Sequence, residues 1–236
     1  MTQPATGAAP PGTPAAQEFA DLADPESPAP PPTVERRWVT VTTGGHISGV
    51  FWGSAAPELL LLHDAASSAR SWDGLLLVLD RPAVAVDLPG HGRSSQRADL
   101  RPRRLAAGLA QAAHSFAPPG VPVVGRGLGA LAAIAVTAKA PGVLGRLVLL
   151  DTLPGSPAET GTGTPADAAG TAADDEALWA QLAAVPDPVL VRTEGGPLGD
   201  DLADRFRAEV PHGETTISGA DPDALAATLR ALLQLS

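Results

Sequence analysis

Short apolar runs that do not alternate constrain this chain most: ELLLLHD (58–64), AVAVD (83–87), VPVVG (121–125), RLVLLD (146–151) and PVLV (188–191). A strand with one wet face alternates polar and apolar residues, whereas a continuous run needs cover on both faces, as in a parallel sheet. Helix-forming stretches stand between the runs: SARSWDGLLLVLD (68–80), residues 99–116 and LGALAAIAVTAKA (128–140). Further on come a short helix at about 174–184, another near 200–209, the strand ETTIS (214–218) and an amphipathic helix at 221–235. Upstream, RRWVTVTT and HISGVFWG flank a Gly44-Gly45 turn and read as a β-hairpin. The pattern predicts an α/β fold: a mostly parallel sheet with an N-terminal hairpin and helices on both faces.

The ends of that domain follow from composition. Residues 1–33 are rich in Pro and Ala without a period, close on PESPAPPPT and are expected to stay a disordered acidic tail. Residues 34–236 form the domain, and 152–184, small and acidic at its start, reads as a reduced, flexible cap or insert. The formal charge is −10, and the acids of residues 1–34 and 152–188 account for it, leaving the rest of the chain balanced. No basic face for nucleic acid results. With no cysteine, disulfides, cysteine-held zinc and a thiol nucleophile are excluded. No pair of histidines has ligand spacing, so neither a metal nor another cofactor is expected. The apolar runs fall short of the roughly 20 residues of a membrane span, and the start lacks a leader's basic and apolar regions. A cytoplasmic protein with no membrane partner is the expectation.

The turn GRGLGA (125–130), between a strand and a helix, carries two readings. As G-x-G-x-x-[GA], followed about 20 residues later by Asp151, it matches a dinucleotide fingerprint. That motif normally opens a sheet, however, and here several strands precede it. The second reading takes in the upstream segments as well. LLLLHDAASSARSW, AVAVDLPGHGRSS, VPVVGRGLGALAAIAVTAKAPGVLGRLVLLD and PVLVRTEGGPL come in an order and spacing that resemble the α/β-hydrolase superfamily over about residues 36–235. In that family the turn reads G-x-S-x-G and presents a nucleophilic serine.

On this resemblance the nucleophile position is Gly127 and the acid position Gly196, while the loop before the last helix holds no histidine. Asp151 fills an alternative acid position, and Glu194 lies two residues before Gly196. Where relatives often carry His-Gly, this chain has His63-Asp64-Ala65, which sets a carboxylate beside the oxyanion site. The ligand-pocket candidates are therefore His63, Asp64, Ala65, Arg126, Gly127 and Leu128. Arg126 reads either as the partner of an acid, Asp64 foremost, or as part of a site for a small anionic ligand at the helix start. Arg93, Arg97, Arg101, Arg103 and Arg104 read as a solvated face, with an acidic ligand or the acidic tail as the other occupant. His91 reads as part of a structural turn. Ser67, Ser68, Ser71, Ser94 and Ser95 read as caps and turns, because a hydroxyl without a base is a poor nucleophile.

The leading expectation is thus a hydrolase-like protein without serine-hydrolase activity, a pseudoenzyme that binds or regulates a ligand or protein partner. The alternatives are a hydrolase of a small ester- or amide-type substrate using Asp64, Glu194 or Asp151 with water, and a nucleotide-binding domain.

Overall fold

A computed structural model describes residues 18–23, 30–65, 67–156 and 172–234. The predicted hairpin is β1 (Val34–Thr40) and β2 (His46–Trp52), paired antiparallel from Val34 opposite Trp52 to Thr40 opposite His46. The apolar runs become β3 (Leu59–Leu62), β4 (Ala83–Val86), β5 (Val121–Arg126), β6 (Leu144–Leu150) and β7 (Val189–Thr193), and β8 is Glu214–Ser218. They form one sheet in the order β1-β2-β4-β3-β5-β6-β7-β8, antiparallel at the hairpin and at β2–β4 and parallel from β4 onward.

The helices are α1 (Asp73–Leu79), α2 (Pro102–Phe116), α3 (Leu128–Lys139), α4 (Ala172–Leu182), α5 (Asp200–Glu209) and α6 (Pro222–Leu233). They cover both faces, as the unbroken strands require. Leu60 and Leu62 join a core with residues of α2, α3, α4 and α5, while Leu59 and Leu61 join a second core with residues of α1 and α6. Successive strand side chains point to opposite faces, so one leucine run serves two layers.

Two boundaries differ from expectation. Residues 18–23 fall in the segment read as a disordered tail, yet Ala20–Leu22 form a 3-10 turn and Phe19 joins the α1/α6 core. Proline and alanine content masked one well-placed aromatic. The rest of residues 1–29 lies outside the described residues. Of the segment read as a flexible cap, 172–182 is the packed helix α4, with Leu178, Trp179 and Leu182 buried against the core. Residues 157–171 lie outside the described residues.

Candidate active site

The parallel strands aim their C-terminal ends at one rim, and β3, β5, β6 and β7 are neighbours there. Open α/β sheets bind ligands at this rim. At the end of β5 the chain turns sharply into α3. Gly127 has φ 52° and ψ −127°, a region that costs a residue with a side chain about 1–3 kcal/mol. A Cβ on Gly125 would strike the backbone of Ala130, and one on Gly129 the backbone of Leu62 and His63. These small residues let the helix lie against β3, so the elbow is built as the resemblance implies.

The elbow is not empty. A Cβ on Gly127 would fall on the carboxyl group of Asp64. Asp64 Oδ1 accepts the Ala65 N–H at 2.6 Å and the Leu128 N–H at 3.0 Å. In serine chemistry those two positions supply the donors that meet the developing oxyanion. Here a resident carboxylate takes both, and among the described residues its Oδ2 accepts no hydrogen bond. The Gly127 N–H is donated to Thr152 Oγ1 at 2.8 Å and the Gly129 N–H to the His63 carbonyl at 3.1 Å. The phosphate cradle of the dinucleotide reading fails on this count, because its N–H groups are already used within the protein. The same holds for an external anion at the helix start: Asp64 is the anion there.

A second carboxylate repeats the pattern. Asp151, at the end of β6, sits at φ 48°, and its carboxylate accepts the Thr193 N–H at 2.7 Å and the Thr193 hydroxyl at 2.5 Å. A Cβ on Gly196 would press on Thr193 Oγ1 and on Asp151 Oδ1. Both glycines at the family's nucleophile and acid positions thus leave their space to an aspartate from a neighbouring strand end. Glu194 is exposed and stands outside this arrangement.

The histidines have structural duties. Buried His63 donates from Nδ1 to the Asp64 carbonyl at 2.6 Å and accepts the Leu88 N–H at Nε2 at 3.0 Å. Both ring nitrogens are committed in the neutral form. Burial pushes the His63 pKa down to about 4, and nearby His91 adds to the depression. His91 Nε2 donates to the Ala65 carbonyl at 2.6 Å, so the turn read as structural clamps the Asp64 loop. Arg126 does not pair with Asp64. Its guanidinium lies 5.8 Å from the Trp72 ring centroid, and it forms no ion pair among the described residues. Ser94 and Ser95 bond the backbone of residues 48, 87 and 46, and Ser71 bonds the Ser68 carbonyl, in keeping with turn roles.

Sequence reasoning missed Asp87, whose carboxylate organises the loops around the elbow. Its side chain is 1% exposed and accepts Arg36 Nη1 at 2.6 Å, the Ala69 N–H at 2.8 Å and the Arg93 N–H at 3.0 Å. The Asp87–His91–Gly92 turn had signalled a bend, but nothing in the sequence linked it to an arginine in the first strand.

No family model matches the sequence. Over 143 residues the chain is 41% identical to the esterase Rv0045c of Mycobacterium tuberculosis, a match spanning 58% of this chain and 46% of that protein. Over 107 residues it is 36% identical to a pimeloyl-[acyl-carrier protein] methyl ester esterase of Methylococcus capsulatus, spanning 44% and 41%. The matches thus span just under half the length of these curated relatives. A crystal structure of Rv0045c superposes with TM-score 0.73 and 26% identity, covering 93% of this chain and 96% of that one. A haloalkane dehalogenase variant from Bradyrhizobium elkanii superposes at 0.67 with 16% identity, covering 86% and 97%, which speaks to the fold alone.

These matches correct the leading expectation of a non-catalytic pseudoenzyme. The curated relatives are named esterases, which points to hydrolase activity. That expectation rests on the absent serine, and the space above Gly127 is occupied by the carboxyl group of Asp64, two residues beyond β3.

Proposed function

Because the chain belongs to the α/β-hydrolase superfamily, we propose that it hydrolyses small ester-type substrates with the Asp64 carboxylate in place of an elbow serine. The observation that carries this reading is the seat of that carboxylate on Gly127. Oδ1 is fixed by two backbone N–H groups, so Oδ2 is held in one orientation at the rim. Oδ2 takes a proton from a water molecule, and the water oxygen bonds to the acyl carbon. The tetrahedral species then collapses, the bond to the alcohol oxygen breaks, and Asp64 returns its proton to that oxygen. The products are an acid and an alcohol, and the carboxylate is regenerated. General-base catalysis of this kind contributes about 10²–10⁴-fold.

Arg126 gives the reading its substrate preference. Lying at the end of β5 beside Gly127, with no ion pair among the described residues, it favours an ester that carries a negative group. The cytoplasmic setting expected from the sequence stays part of this proposal. Among the described residues no helix is long and apolar enough to cross a membrane.

Hydrolysis of short nitrophenyl esters, acidic and neutral, by the native protein and by Asp64→Asn tests the assignment. Asparagine keeps an oxygen for the two N–H groups but is no base. The expected result is turnover that falls about 10²–10⁴-fold in the variant, with no serine labelled by a fluorophosphonate probe. An unchanged rate in Asp64→Asn, or a labelled serine, overturns the proposal.

A further inference from the structure

Within the stretch that composition assigns to a tail, residues 18–22 read Glu-Phe-Ala-Asp-Leu. Phe19 is only 9% exposed and shares a buried cluster with Trp52 and Trp72, with Leu22 packed against it. Two guanidinium groups flank its ring, Arg70 at 5.2 Å and Arg36 at 6.0 Å from the centroid. Cations over an aromatic face are attracted by its quadrupole, more so when water is excluded.

The polar contacts are as specific as the apolar ones. Arg36 donates to Glu18 Oε1 from Nε at 2.8 Å and lies 2.6 Å from it at Nη2. Arg70 donates to the Glu18 carbonyl at 2.8 Å and to Asp21 Oδ2 at 2.6 Å. One acid, one ring, one backbone carbonyl and a second acid are thus all met by two guanidinium groups. Diffuse charge attraction would not select those four features, and the five arginines between 93 and 104, a denser positive patch, do not hold this segment. Asp99 and Asp174 pair with three of them instead.

We infer that Arg36 and Arg70 form a docking site for an acidic–aromatic peptide and that Glu18–Leu22 is its resident ligand, positioning the loop that carries Asp64. The connection runs through Arg36. Its side chain is 4% exposed, and Nη1, turned away from Glu18, bonds Asp87 Oδ2 and Ser48 Oγ, each at 2.6 Å. Asp87 in turn holds the Ala69 N–H, at the start of the 3-10 turn Ala69–Trp72 that follows the Asp64 loop. Undocking exposes Arg36, weakens its hold on Asp87 and frees residues 67–72. This inference does not depend on the chemistry proposed for Asp64, so its test uses no substrate.

The test is hydrogen exchange, read by mass spectrometry, on the full chain. In the native protein the amides of 19–23 are expected to exchange at least about tenfold more slowly than in an unstructured peptide. In Phe19→Ala that protection is lost and exchange at 67–72 rises, while 128–136 stays unchanged. A synthetic peptide spanning residues 17–24 then restores protection at 67–72 in the variant, and the same peptide with its Glu and Phe replaced by Ala does not. Asp21→Asn alters an exposed carboxylate and leaves the core intact, and it is expected to raise exchange at 19–23 alone. Unprotected amides at 19–23 in the native chain, or unaltered exchange at 67–72 in a folded Phe19→Ala, overturn the inference.

Discussion

The seat of Asp64 on Gly127 can be tested through stability alone, with a double-mutant cycle of Gly127→Ser and Asp64→Ala. A serine at 127 meets two penalties. The first is the backbone conformation, φ 52° and ψ −127°, worth about 1–3 kcal/mol to any residue with a Cβ. The second is overlap of that Cβ with the Asp64 carboxyl group, an overpacking cost of about 1–3 kcal/mol. Removing the carboxyl group abolishes the second penalty and leaves the first. Gly127→Ser is therefore expected to cost about 2–6 kcal/mol in the native background and about 1–3 kcal/mol beside Asp64→Ala. The coupling of about 1–3 kcal/mol appears in urea midpoints and, at roughly 2–4 °C per kcal/mol for a domain of this size, in melting temperatures. Additivity of the two changes within about 0.5 kcal/mol would refute the seating of Asp64, and with it the carboxylate assigned to the proposed hydrolysis.

Two further outcomes follow from buried charge. His63, whose pKa burial lowers to about 4 from 6.5, binds fewer protons in the folded than in the unfolded chain between those values. Stability therefore rises with pH across that window, and about 2 kcal/mol should be lost between about pH 7 and about pH 5. Urea titrations at several pH values check this, and His63→Asn should flatten the slope. If the slope persists unchanged in a folded His63→Asn, the histidine is not its source. Arg36→Ala leaves the Asp87 carboxylate buried without its cation and is expected to cost about 3–5 kcal/mol. Asp87→Asn in the same chain should recover part of that loss, and a cost below about 1 kcal/mol for Arg36→Ala would contradict the buried pair.

The sheet was legible because Leu59–Leu62, Ala83–Val86 and Leu147–Leu150 are apolar on both faces, and only a covered parallel strand accommodates that. The elbow was legible because Gly125 and Gly129 must be small where α3 crosses β3. What those glycines leave room for was not. Sequence spacing places Asp64 after one strand and Gly127 after another. Their meeting depends on β3 and β5 being neighbours in the sheet, with Leu62 paired to Gly125. The same limit hid Arg36, which lies 51 residues from the Asp87 it pairs with. Phe19 was lost for a different reason. Composition averages over a window, while docking needs only one aromatic and two acids facing two arginines.

The carboxylate at the elbow also sets the kind of chemistry the proposed reaction can use. In serine chemistry the two N–H donors are kept free until the transition state, and their value lies in meeting a charge that was not there before. Here Oδ1 of Asp64 holds both donors in the ground state. A negative tetrahedral species forming beside an ionised Asp64 would face a like charge. Proton transfer from water to Oδ2 removes that conflict: as the new oxyanion forms, Asp64 becomes neutral, and the net charge of the site stays constant. The two N–H groups, bound less tightly to a neutral acid than to a carboxylate, can then share with the oxyanion. Attack by the carboxylate itself would conserve charge as well, because its negative charge passes to the new oxyanion as the bond to the acyl carbon forms. The leaving alcohol separates the two roles: Asp64 acting as base holds a proton to return to that oxygen, whereas an acylated Asp64 has none to give, which favours the base. Oxygen-18 in the solvent separates these routes in a single turnover: the base mechanism places it in the released acid alone, whereas label in the Asp64 side chain would require attack by the carboxylate itself.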